Sequence, residues 1–134
     1  MGFLRGFFFL LMAAAGAGKL ADMPGFYPVV ASYQLLPPSL VAPSAWALML
    51  CELLLAAWLL WGRRLPLAGL ALILMHLFYL FGLVQALARG LALDNCGCFG
   101  VYFARPLTLY SPFEDVFLLT LAVLFRVQAR KQGA

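Results

Sequence analysis

Charge is what this sequence has least of. Only 10% of its 134 residues are Asp, Glu, Lys or Arg, against roughly 25% in a soluble domain, which excludes an ordinary water-solvated fold. The net charge of +4 comes from basic residues spread over the ends of apolar segments. They form no single stripe, and this argues against a nucleic-acid partner. Histidine occurs once and cysteine three times. Only His76 and Cys51 are available to join Cys96 and Cys98 in a zinc site, and both lie far from that pair in sequence, so no metal is expected unless a dimer shares ligands. There is no internal repeat and no low-complexity tail.

What the chain has in excess is apolar surface: 66% of its side chains are hydrophobic and its mean hydropathy is +1.00. A membrane-spanning helix needs about 20 mostly apolar residues, and segments 3–21, 41–61, 65–88 and 112–127 meet that need. They predict an all-α polytopic membrane protein: one transmembrane domain over 1–134, built as a four-helix bundle. A competing reading of the start is a cleaved signal peptide, with Arg5, a short apolar run and Ala13-Ala14-Ala15 in the appropriate order; a retained helix is the expectation preferred.

Orientation follows from the basic residues. With a cytoplasmic N-terminus, Arg5, Arg63, Arg64, Arg126, Arg130 and Lys131 lie inside and Lys19, Arg89 and Arg105 outside, as the positive-inside rule requires. Both termini are then cytoplasmic. Asp22, Asp94, Glu114 and Asp115 fall at the outer face, which in a bacterial inner membrane is the oxidising periplasmic side.

Local signals divide the chain further. Ala13 to Gly18 are all small, which allows close helix approach. Residues 23–38 are apolar but bounded by prolines and too short to span, so a short interfacial helix or lid is expected there. The tight Gly62-Arg63-Arg64 turn predicts that the second and third helices are antiparallel neighbours touching along their length. Arg89-Gly90 is a plausible helix stop, and Ser111-Pro112-Phe113-Glu114 reads as a helix start. Between them, residues 91–111 form the longest non-helical connection.

That connection holds Asn95-Cys96-Gly97-Cys98-Phe99-Gly100. Two thiols one residue apart at a membrane surface point to electron or soft-metal chemistry. A disulfide requires α-carbons within roughly 7 Å, and Gly97 removes the steric objection to the necessary fold. So small a loop stabilises little and exchanges readily. A structural cross-link or two plain surface thiols is the bland alternative. Arg105 and Lys19 are the cations available to favour thiolate, with Lys19 otherwise pairing with Asp22 or reaching inward to a carboxylate. Glu52 and His76 fall at similar depth, each about 15 Å into adjacent helices at 1.5 Å per residue. They are candidates to share a hydrogen bond and to bind a quinone or move its protons, or simply to join the helices. Cys51, beside Glu52, is expected to be a buried small hydrophobe.

Taken together, Gly18-Lys19-Leu20, Tyr33 with Leu36-Pro37, Glu52, Gly62 and Cys96-Gly97-Cys98-Phe99-Gly100 resemble the methylamine-utilisation MauE family within the broader DoxX-like membrane proteins. The resemblance runs from about Arg5 to Phe125. It implies an inner-membrane four-helix protein that supports disulfide formation in a periplasmic partner, with Cys96 and Cys98 as the redox pair and Lys19 and Glu52 as shared polar residues. The expected activity is therefore thiol-disulfide oxidoreduction between a periplasmic thioredoxin-like or thiol-containing protein and quinone or another membrane partner. A soft-metal transporter for copper or mercury and a membrane assembly subunit are the alternatives.

Overall fold

The computed structural model describes residues 2–91 and 109–131. Five helices make up this part: α1 (Gly2–Ala21), α2 (Met23–Ser32), α3 (Pro38–Trp61), α4 (Leu65–Ala88) and α5 (Ser111–Lys131), with no strand among the described residues. α1, α3 and α4 are long and apolar enough to cross a membrane. The expected span at 112–127 lies in α5, whose composition is diluted by Glu114, Asp115, Arg126, Arg130 and Lys131, and it is not among the three.

Each boundary has a local cause. Asp22 breaks α1 from α2 and caps the latter, its carboxylate accepting from the Gly25 backbone N–H at 3.0 Å, with proline in the first turn where the missing N–H costs nothing. α3 stops at Gly62, which takes a left-handed φ of 81° that glycine adopts without strain. Arg5 then covers the α3 carbonyls, donating to Leu59 O at 2.6 Å and Leu60 O at 2.9 Å, a cation placed where the helix dipole is negative. Gly90, at φ 70°, ends α4: the Leu91 N–H returns to Ala86 O at 2.9 Å and the Gly90 N–H to Leu87 O at 3.1 Å, which satisfies carbonyls otherwise left open.

The bundle has two ends. At the turn end lie the N-terminus of α1, the α3–α4 turn and the C-terminus of α5. At the loop end lie α2, the C-terminus of α4 and the N-terminus of α5. Two antiparallel pairs, α1 with α3 and α4 with α5, pack closely. A Cβ on Gly16 would come within 2.7 Å of the Leu53 side chain, and one on Gly69 within 2.8 Å of Arg126 Cβ, so small residues set both approaches. The pairs meet in one core where Phe8, Leu59, Leu72 and Phe125 are buried, Phe8 and Phe125 crossing edge to face with centroids 6.3 Å apart. A smaller core of Met23, Phe26, Ala45 and Met49 fixes α2 on α3.

One expectation fails here. α3 and α4 are antiparallel but do not touch along their length; contact between them is sparse, and a cleft of about 950 Å³ opens between their facing sides. The short turn dictates sequence adjacency, whereas the glycine and alanine contacts to α1 and α5 pull the two helices toward different partners.

Candidate functional site

Among the described residues the polar side chains gather around a buried ion pair that joins the C-terminal turn of α1 to the middle of α3 and α4. Lys19 stands in the last turn of α1, where a cation suits the helix dipole, and Glu52 sits mid-way along α3. Lys19 Nζ donates to both carboxylate oxygens of Glu52 at 2.9 Å. The side chains are 1% and 0% exposed, so the pair is closed off. Such burial costs several kcal/mol per ion, and close mutual contact must offset it. The Tyr79 hydroxyl on α4 donates to Glu52 Oε1 as well. Lys19 also lies over the rings of Phe26, at 5.6 Å, and Tyr79, at 5.9 Å, a cation–π arrangement. Four helices thereby converge on one carboxylate and one ammonium.

Of the alternatives open for Lys19, the inward one is realised. Asp22 instead caps α2. The expected Glu52–His76 hydrogen bond is not formed: Glu52 is taken by Lys19 and Tyr79, while His76 Nδ1 lies 2.7 Å from its own helix at Leu72 O. The His76 ring packs edge-on against Phe8, with centroids 5.9 Å apart. Matched depth along two helices says nothing of rotation about their axes, and rotation decides the partner. Tyr79 is the residue the sequence reading passed over. Its signal was a phenol one turn beyond His76 in an otherwise apolar run.

The cleft between α3 and α4 begins at this network. Lys19 and Tyr79 line it, together with Cys51, Leu54, Trp58 and Met75, and α2 roofs it through Phe26, Val30 and Tyr33. Neither Glu52 nor His76 is part of the lining. Cys51, expected to be buried, is exposed on α3 toward the cleft, because the helix face it occupies has no packing partner. The roof is latched to α4: Gln85 Nε2 reaches Tyr33 O at 3.3 Å, and Arg89 Nη1 reaches Gln34 O at 3.1 Å.

At the loop end of α5, Asp115 is buried and its Oδ2 has no hydrogen-bond partner among the described residues. Cys96, Cys98, Arg105 and Asp94 lie outside the described residues. Their segment leaves α4 after Gly90 and returns before Ser111, so both of its anchors belong to the loop end. Among the described residues no group of three His, Cys, Asp or Glu side chains is placed to hold a metal ion.

No solved structure matches the chain. A curated relative, the methylamine utilization protein MauE of Methylophilus methylotrophus, is 37% identical over 89 residues, covering 66% of this chain and 47% of that relative. The chain thus aligns with less than half of the relative's length. The family model described as methylamine utilisation protein MauE matches residues 1–128, which takes in all of α1 to α4 and most of α5, so that the chain belongs to the MauE family.

Proposed function

We propose that this protein is a membrane thiol-disulfide oxidoreductase of the bacterial inner membrane, with Cys96 and Cys98 as its exchanging pair. α5 serves as a fourth span beside α1, α3 and α4, in an arrangement like that of DoxX-like proteins, and both termini are cytoplasmic. The charge distribution supports this orientation: Arg5, Arg63, Arg64, Arg126, Arg130 and Lys131 belong to the turn end, and Asp22, Glu114 and Asp115 to the loop end. The exterior supports a lipid environment, since Phe3, Leu10, Leu60, Leu109, Phe113 and Phe117 are all exposed, apolar surface that suits lipid better than water.

The observation that supports the reading is that α4 ends and α5 begins at the loop end of the bundle, so the Cys-Gly-Cys residues, which stand between them in sequence, are joined to that end on both sides, with the buried Lys19–Glu52–Tyr79 network deeper in the bundle. A thiolate of a periplasmic thioredoxin-like or thiol-containing partner attacks the Cys96–Cys98 disulfide, and the mixed disulfide resolves when the partner's second thiolate attacks it. The partner leaves oxidised and the Cys96–Cys98 pair is left reduced. Regeneration removes two electrons and two protons, which pass to quinone or to another membrane partner. The family is named for methylamine utilisation, and the natural partner is to be sought there.

The test uses purified protein in nanodiscs, a reduced thioredoxin-like domain and a short-chain ubiquinone. Partner oxidation with turnover is expected for the native chain, falling to background in Cys96→Ser and in Cys98→Ser. Equal rates in the serine variants and the native chain would overturn the proposal.

A further inference from the structure

The α3–α4 cleft is a feature of the described residues that the thiol chemistry leaves without a role. Its volume of about 950 Å³ matches the upper range of sites for small organic ligands. Both of its walls are helices long and apolar enough to cross a membrane, so a ligand dissolved in lipid reaches it sideways between them. The lining is mostly apolar, with Tyr33, Ser44, Lys19 and Tyr79 as its polar members; Lys19 is itself only 1% exposed, so half-buried Tyr79 is the member of the buried network open to a ligand. An acyl chain has no use for that hydroxyl. A flat, lipid-soluble ring bearing a carbonyl oxygen does, because it needs a hydrogen-bond donor at one edge and apolar contact everywhere else.

The donor is available at low cost. Glu52 receives Lys19 on both oxygens as well as Tyr79 on one, so the Tyr79 hydroxyl can turn to a ligand without leaving the carboxylate unpaired. Glu52 does not line the cleft; it is a positioning residue that holds Lys19 and Tyr79 at its edge. Trp58 and Leu54, toward the turn end, offer a track for an apolar tail.

We infer that the α3–α4 cleft is the binding site for an isoprenoid quinone, its ring carbonyl accepting from Tyr79 beside Lys19 and its tail leaving along α3 toward lipid. The choice of ligand rests on the oxidoreductase reading above. A quinone there supplies an acceptor for the two electrons and two protons released when the Cys96 and Cys98 thiols close to a disulfide, and leaves as the quinol. Tyr79 orients the ring, Lys19 and Glu52 hold Tyr79 in place from behind, and the apolar lining keeps water from it.

Trp58 provides a reporter inside the cleft. With Trp46→Phe and Trp61→Phe in place, its fluorescence is measured in nanodiscs of fixed lipid composition during titration with a short-chain menaquinone. Saturable quenching is expected, unchanged when Cys96 and Cys98 are both serine. Tyr79→Phe should raise the apparent Kd about tenfold, the size of one hydrogen bond. Gly82→Leu should abolish saturation, because its new side chain enters open cleft space: a Cβ there meets only Tyr33 ring carbons at 3.8 and 3.9 Å. Should Gly82→Leu not fold, Tyr79→Phe carries the test alone. Quenching that rises linearly with quinone content, as for mere partition into lipid, would overturn the site. So would a saturation curve identical in native and Tyr79→Phe proteins. Saturable binding without partner oxidation would leave the cleft standing and sink the oxidoreductase. Partner oxidation with no saturable binding would do the reverse.

Discussion

Two seams of this bundle join consecutive long helices, yet one is closed and the other open. Between α4 and α5, Ala68, Gly69, Ala122 and Ala129 are buried with little side chain to separate the backbones. Between α3 and α4 the facing positions carry Leu54, Trp58, Leu74 and Phe78, and the helices splay apart around a cleft. Close approach in lipid depends on small residues, since no hydrophobic force separates one apolar side chain from another there. The closed seams hold the fold, and the open one leaves room for a ligand.

The largest effect expected from breaking this arrangement is at the ion pair beside the open seam. Glu52→Ala strands a buried ammonium and should cost about 3–5 kcal/mol, read as thermal unfolding in detergent by circular dichroism. Lys19→Met combined with Glu52→Leu should recover most of that stability while losing the network. A double variant no better than the single one would mean the pair holds the bundle by something other than charge neutralisation.

Next in size is the contrast between the seams themselves. Gly69→Val drives a side chain into Arg126, whose Cα would lie 3.0 Å from the new Cβ, and about 1–3 kcal/mol of destabilisation is expected from such overpacking. Gly82→Ala in the open seam should be neutral or stabilising by up to about 1 kcal/mol through helix propensity. Similar losses at both glycines would remove the distinction. The roof of the cleft is a finer probe: Asp22→Ala deletes the α2 cap and should cost about 1 kcal/mol, with faster proteolysis near α2. The smallest effect belongs to Cys51→Ala, which should leave partner oxidation within about twofold of native, because an exposed thiol in the open seam contributes little packing. Loss of activity there would favour a soft-metal relay through Cys51.

The difference between the seams also explains what could be read from the sequence. The apolar runs at 3–21, 41–61 and 65–88 are helices because length and hydropathy are properties of the segment alone. The inward reach of Lys19 was one of two alternatives, and choosing between them required knowing that Asp22 is occupied as a cap. Glu52 was recognisable as a residue that must be protonated, paired or facing a polar cavity, but its partner Tyr79 was not, because pairing depends on how each helix is rotated. The cleft was hidden for a related reason: a three-residue turn makes α3 and α4 neighbours in sequence without dictating the angle between them. α5 shows a limit of another kind, since its Glu114, Asp115 and Arg126 dilute the hydropathy that marks the other long helices. The Cys-Gly-Cys pair remains a reading of the sequence, lying outside the described residues.

One mass measurement addresses the central claim most directly. The native protein is reduced, freed of reductant, mixed anaerobically with a short-chain quinone, alkylated and weighed. The account predicts that Cys96 and Cys98 escape alkylation as a disulfide, that Cys51 is still modified, and that about one quinol forms per chain, as two electrons per disulfide require. Three alkylated cysteines with no quinol formed would contradict it.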